Sequence, residues 1–146
     1  MNERVVVVAE DHRGLLSNTV FVRGREVLAD EPPDIGGLGV GLDPFEFLLA
    51  GLGACTSMTL RLYAGRKGWD LEKVEVTVRQ TASALDGAPK DVFSREIRLI
   101  GELSADERER LLQIAEACPV HRTLTRGVDI VSSLAAVGDE VGEAAG

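Results

Sequence analysis

Cysteine is scarce in this chain, basic charge is in deficit, and the long apolar runs of a membrane protein are missing. Two cysteines among 146 residues are too few for a disulfide framework, and a permanent bridge is unusual in a reducing compartment. The two cysteines and two histidines (His12 and His121) lack the paired ligand spacing of a zinc site, so no metal is expected. Sixteen basic against 24 acidic residues leave a net charge of −8, which argues against nucleic acid and against anionic membranes as partners. The start, MNERVVVV, lacks the charged-then-apolar layout of a signal peptide. The glycine-rich stretch DEPPDIGGLGVGL has neither the GxGxxG nor the Walker spacing, no lysine follows it, and its neighbours are acidic. It is therefore a loop and not a phosphate cradle. Together these absences predict a soluble cytoplasmic protein.

What is present is ordinary globular material, 45% hydrophobic and 27% charged. The length suits one domain over residues 1–146, able to bury roughly 68–70% of its unfolded surface. Residues 4–10 (RVVVVAE) form a β-branched strand, 16–22 a second and 26–29 a third, with a hairpin at Arg23-Gly24. Residues 71–82 alternate cleanly, Val74, Val76 and Val78 against Glu75, Thr77 and Arg79, and 92–103 alternate again with Phe93, Ile97 and Leu99 as anchors. A capping box at Ser104 and Glu107 opens a helix with Leu111, Leu112, Ile114 and Ala115 inward. That helix ends at Cys118-Pro119. A short turn or helix, PVHRTLTRG, follows, then a last strand over 128–134, with residues from about 135 to 146 as a frayed tail. Hairpins with helices on one face make an α+β domain.

The chain is organised around residues 43–68, DPFEFLLAGLGACTSMTLRLYAGRKG. Asp43 is a helix N-cap, Pro44 suits the first turn, and Glu46 stands where a capping box needs its acid. Arg66 and Lys67 suit the C-terminal dipole and Gly68 the stop. Apolar or small residues cover nearly the whole circumference between, so the helix is expected to be the core, with Cys55 inside it. One sheet can shield only one side of such a helix, and dimerisation through it would cover the rest. Cys55, apolar-flanked, is expected to have a raised thiol pKa; Cys118 precedes Pro119 and can cap the following turn beside His121 and Arg122, which lowers a thiol pKa. Both cysteines also fit a plainer description as buried small hydrophobes.

The segment GLDPFEFLLAGLGACTSMTL followed by AEACPVHRTL resembles the OsmC/organic hydroperoxide resistance superfamily, in an OsmC-like subgroup. The likeness runs from about residue 28 to 134. It implies an intertwined homodimer with antiparallel sheets, a long central helix and active sites at the subunit interface. It also implies a thiol peroxidase that reduces organic hydroperoxides without metal or cofactor. Cys55 would be the attacking thiolate and Cys118 its disulfide partner, later reduced by a dithiol. The family's arginine and glutamate would be Arg13, with Arg23 and Arg25 as competitors, and Glu46. Glu46 lies one place later than the family glutamate. Nine residues before Cys55 it is half a turn out of phase and about 13 Å away along a straight helix, and its capping role alone could explain it. The alternative class is a non-catalytic redox-sensing or small-molecule-binding dimer, and a third is a purely structural dimer.

Overall fold

The structure is a computed structural model that describes residues 1–136. Its elements are β1 (Val7–Glu10), β2 (Asn18–Val22), β3 (Arg25–Ala29), α1 (Pro44–Lys67), β4 (Lys73–Ala82), β5 (Val92–Ile100), α2 (Ala105–Ala115) and α3 (Pro119–Arg126). Short 3-10 turns sit at Pro33–Ile35 and Ala84–Asp86. This is the expected α+β arrangement, two antiparallel sheets and one long helix. The described residues group into two compact units, one of Met1–Phe47 with the segment from Val131, the other Leu48–Ile130.

In the first unit β1, β2 and β3 form a meander, with Val8 opposite Val20 and Val20 opposite Val27. Arg23 and Gly24 make its two-residue hairpin with φ of 48° and 71°, the doubly left-handed turn whose twist matches the strands it joins. β1 begins at Val7, three residues later than expected, because its ladder starts opposite Phe21; Val5 and Val6 have no strand partner and are half exposed. The β1–β2 turn is tied by Asp11, whose carboxylate accepts from Ser17 Oγ at 2.6 Å, Thr19 Oγ1 at 3.0 Å and Arg13 N at 3.1 Å. After β3 the chain loops through the glycine-rich segment around buried Asp30, which accepts from the amides of Glu31 and Leu38, both at 2.9 Å. Gly41 is required here, since a Cβ would lie 2.3 Å from Leu28 O. The loop hands over to α1 through the expected capping box: Glu46 N donates to Asp43 Oδ1 at 2.8 Å and Asp43 N to Glu46 Oε1 at 2.9 Å.

In the second unit α1 ends as its sequence predicts. Gly68 is left-handed (φ 69°), its N–H donates to Gly65 O and Trp69 N–H to Ala64 O, the two bonds of a Schellman stop. β4 and β5 pair from Lys73↔Ile100 to Ala82↔Val92, with an irregularity between Gln80 and Ala82. The Ser104–Glu107 capping box starts α2, and Arg108 fastens it to β5 through Leu99 O (2.8 Å) and Gly101 O (3.1 Å). The core is Leu60, Ala64, Leu71, Leu111 and Ala115, with Tyr63, Trp69, Val74, Ile97, Leu99, Leu103 and Ile114 against it.

Three expectations are corrected. The helix α1 is not enclosed all round: only Leu52, Thr56, Leu60 and Ala64, a stripe at spacings of four, are buried in the chain. Phe45, Leu48, Met58 and Leu62 are 37–65% exposed, because two strands and one helix cover one side only. On α2, Leu111 and Ala115 point inward but Leu112 is 53% exposed, one position off the stripe. Residues 128–134 form no strand; Val128, Ile130, Val131 and Leu134 are exposed, and without a neighbouring edge a β-branched run has no ladder to join. The tail expected over 135–146 lies, from residue 137 on, outside the described residues.

Candidate active site

Cys55 sits near the middle of α1, and Cys118 sits in the connection between α2 and α3. The chain turns at Glu116–Ala117 because Pro119 cannot continue α2, and Pro119 then opens α3 as its first residue. Cys118 caps α3, its Sγ accepting from His121 N at 3.5 Å. Both cysteines are free, Cys118 fully buried and Cys55 partly exposed, and they lie near enough that each perturbs the other's thiol.

Their environments differ. Burial pushes the Cys55 thiol up, and the neighbouring sulfur of Cys118 adds to the rise, against smaller opposing contacts from Val120 N–H and the Thr59 hydroxyl. Burial acts on Cys118 in the same direction, but hydrogen bonds from Cys55, His121 N–H, Val120 N–H and Thr56 outweigh it, so its pKa falls below the ordinary 9.0.

A cation that sequence reasoning missed is tied to Thr56 and His121. Arg95 of β5 has only 11% of its side chain exposed. Its Nη1 donates to Thr56 Oγ1 at 3.0 Å and its Nη2 to His121 Nδ1 at 3.2 Å. Since arginine only donates, the His121 ring proton sits on Nε2, 3.0 Å from Glu116 Oε2. Glu116 Oε1 lies 3.9 Å from Arg95, and the carboxylate is 67% exposed. A signal for Arg95 was available: period-two alternation puts it on the same face as Phe93, Ile97 and Leu99. A charge on an inward strand face marks either an error or a function.

The arginine and glutamate named from sequence each have a partner in their own segment of the first unit. Arg13 lies in the β1–β2 turn with Nε 3.7 Å from Asp11 Oδ2 and its side chain 52% exposed. Arg23 is the left-handed residue of the hairpin and Arg25 opens β3, exposed. Glu46 is engaged in the capping box. No group of three His, Cys, Asp or Glu among the described residues could hold a metal ion.

Among the described residues, the second unit carries two concavities, with others besides. The larger, about 420 Å³, is lined by Ile97, Leu99, Ala105, Arg108, Glu109 and Leu112, none of them a nucleophile. The smaller, about 240 Å³, is an apolar groove of Leu49, Ala50, Gly53, Ala54, Val76 and Val78, its α1 side ending one residue before Cys55. Gly53 keeps it narrow: a Cβ there would lie 3.3 Å from Val78 Cγ2.

Residues 36–133, more than half of the chain, match the family model of OsmC-like protein. The chain belongs to the OsmC-like family. Its fold is similar to solved structures of that name. An OsmC-like protein from Mycoplasma pneumoniae is 22% identical with a TM-score of 0.71, over 85% of this chain and 88% of that one. An organic hydroperoxide resistance protein OsmC from Legionella pneumophila is 22% identical with a TM-score of 0.61, over 85% and 90%. An organic hydroperoxide resistance protein from Elizabethkingia anophelis is 19% identical with a TM-score of 0.62, over 87% and 90%. No curated protein matches the sequence. In this OsmC-like chain both Cys55 and Cys118 fall inside the matched region, as do Glu46 and Arg95, while Arg13 precedes it.

Proposed function

We propose that this OsmC-like protein is a cysteine-based peroxidase that reduces organic hydroperoxides. The observation that supports the reading is the proximity of two free thiols from separate elements, Cys55 partly exposed and Cys118 buried, each perturbing the other. Membership of a family with members named for organic hydroperoxide resistance supports the substrate class.

Cys55, the accessible thiol, attacks the distal peroxide oxygen and passes its proton to Cys118. The O–O bond breaks, the alkoxide takes that proton and leaves as the alcohol, and Cys55 becomes a sulfenic acid. The Cys118 thiolate then attacks the Cys55 sulfur; the sulfenic oxygen leaves as hydroxide, protonated to water, and a disulfide remains. A dithiol reductant restores both thiols and is itself oxidised to a disulfide. The apolar residues that flank Cys55 along α1 suit an organic peroxide better than hydrogen peroxide. The exposed apolar residues of α1 support a homodimer formed through that helix. Though α1 is long and apolar enough to cross a membrane (mean hydropathy 1.3), we read it as the core helix of a soluble cytoplasmic protein.

The test is turnover of cumene hydroperoxide with dithiothreitol. The wild type reduces it, faster than hydrogen peroxide, and Cys55→Ser does not. Equal rates for the two proteins would remove the reading. The raised Cys55 thiol favours a second reading, a redox-sensing dimer that oxidises once without turnover. Oxidation of one equivalent with no multiple turnover in excess dithiol would select it.

A further inference from the structure

The buried cation Arg95 is left over from the peroxidase scheme, which needs two thiols and nothing from β5. Among the described residues the only carboxylate in ion-pair range of it is Glu116, at 3.9 Å and 67% exposed, so water screens most of that pairing. His121, its other neighbour, offers a ring nitrogen and no negative charge at the contact. A guanidinium this enclosed is poorly compensated, and its hydrogen-bond partner Thr56 is one of the groups that lower the Cys118 thiol.

Thr56 is fully buried and has a single proton to give. Its oxygen accepts from Arg95 Nη1, and the hydroxyl donates to Leu52 O at 2.7 Å. The same hydroxyl is among the groups that lower the Cys118 thiol. It can therefore face the Leu52 carbonyl while Cys118 is a thiol or in a disulfide, and swing to the sulfur when that sulfur becomes negative. Arg95 on its lone pair polarises the O–H and strengthens the second position. The His121 and Val120 amides of the first turn of α3 face the same sulfur. Cys55 shares the Val120 amide and has the Thr59 hydroxyl, but burial outweighs them there and its thiol is raised.

We propose that Arg95, acting through Thr56, makes Cys118 the leaving thiolate when the Cys55–Cys118 disulfide is reopened, so that an incoming thiol is captured on Cys55. Arg95 is a positioning residue: it touches neither sulfur but sets the proton that one of them receives. The inference rests on the pairing of the two thiols in the peroxidase reading. In the step, the reductant's thiolate forms an S–S bond to Cys55, the Cys55–Cys118 bond breaks, and its electron pair leaves on Cys118. Burial enforces the same direction, because Cys118 Sγ is closed to solvent and Cys55 is not. The second thiol of a dithiol then closes on its own first sulfur and releases Cys55.

The experiment forms the disulfide in the full-length protein with diamide, so that it does not depend on reaction with peroxide. Brief exposure to glutathione, an acid quench and peptide mass mapping then locate the adduct. Glutathione is expected on Cys55 in clear excess over Cys118, which is closed to solvent. Dithiothreitol should reduce Arg95→Met about threefold more slowly than wild type, from a Brønsted slope of about 0.5 for thiol exchange. The equilibrium should move toward the disulfide, about 30 mV for each tenfold change. Arg95→Lys, which keeps the charge, should stay within about twofold of wild type, whereas a merely structural arginine would not be rescued in potential. Adducts on Cys118, or an unchanged potential in Arg95→Met, overturn this inference and leave the thiol pair standing. A protein that forms no disulfide with diamide overturns the pair and the inference together.

Discussion

Replacing Thr56 by valine, which has the same shape without the hydroxyl, separates packing from hydrogen bonding at the site. Thr56 is fully buried on the inner stripe of α1, so valine fills the same volume and leaves no cavity. What is lost is one acceptor for Arg95 Nη1 and one donor toward Cys118. With its side chain only 11% exposed, Arg95 has little water to turn to, so an orphaned charged donor costs about 2–3 kcal/mol. Leu52 O also loses the side-chain donor at 2.7 Å but keeps its helical amide, so that part is small. Guanidinium denaturation of the reduced protein should show a lower midpoint at unchanged slope. The ultraviolet thiolate absorbance should titrate to higher pH than in wild type, because a contact that lowers Cys118 is gone. A Thr56→Val protein within about 0.5 kcal/mol of wild type, with the same titration, would refute the idea that this hydroxyl links Arg95 to the sulfur.

Leu60 is fully buried at the centre of the second unit's core, and Leu60→Ala should cost about 2–5 kcal/mol, read from the denaturation midpoint; a loss below about 1 would place the core elsewhere. Asp11 has its pKa lowered, first by the Ser17 hydroxyl and then by the Arg13 amide. Its contribution is therefore fully present above its ordinary value of 3.8 and is lost as pH falls through the lower folded value. Asp11→Asn should flatten stability against pH in that acid window, and an unchanged acid limb would dismiss the turn as a contributor. Cys118→Ser should let Cys55 react with hydroperoxide once and then overoxidise to sulfinic acid, seen by intact mass; repeated turnover would remove Cys118 from the cycle.

The ends of α1 were legible because caps are local chemistry: Asp43 with Glu46 at one end and Gly68 at the other make the bonds their residue types suggest. Cys118 as a cap was legible for the same reason, with proline following it. The burial of α1 was not. Its composition says that it is apolar, but not how much of its surface this chain itself covers, and the chain covers one stripe. Residues 128–134 carry β-branched periodicity, yet a strand is defined by its partner edge, which a single sequence does not name. The proximity of the thiols came from the family resemblance, since spacing along a chain gives no distance in space. Arg95 was passed over because charges in an alternating strand are read as its wet face, although its parity with Phe93 and Ile97 put it on the other.

The central claim is that Cys55 and Cys118 react as a pair. One equivalent of cumene hydroperoxide added to the fully reduced protein, followed by intact mass and thiol counting, tests it most directly. The account predicts that the mass of two hydrogens is lost and both thiols vanish together, with a single peptide cross-link from Cys55 to Cys118. Two thiols still free, or an oxygen gained on Cys55 with Cys118 untouched, would contradict it.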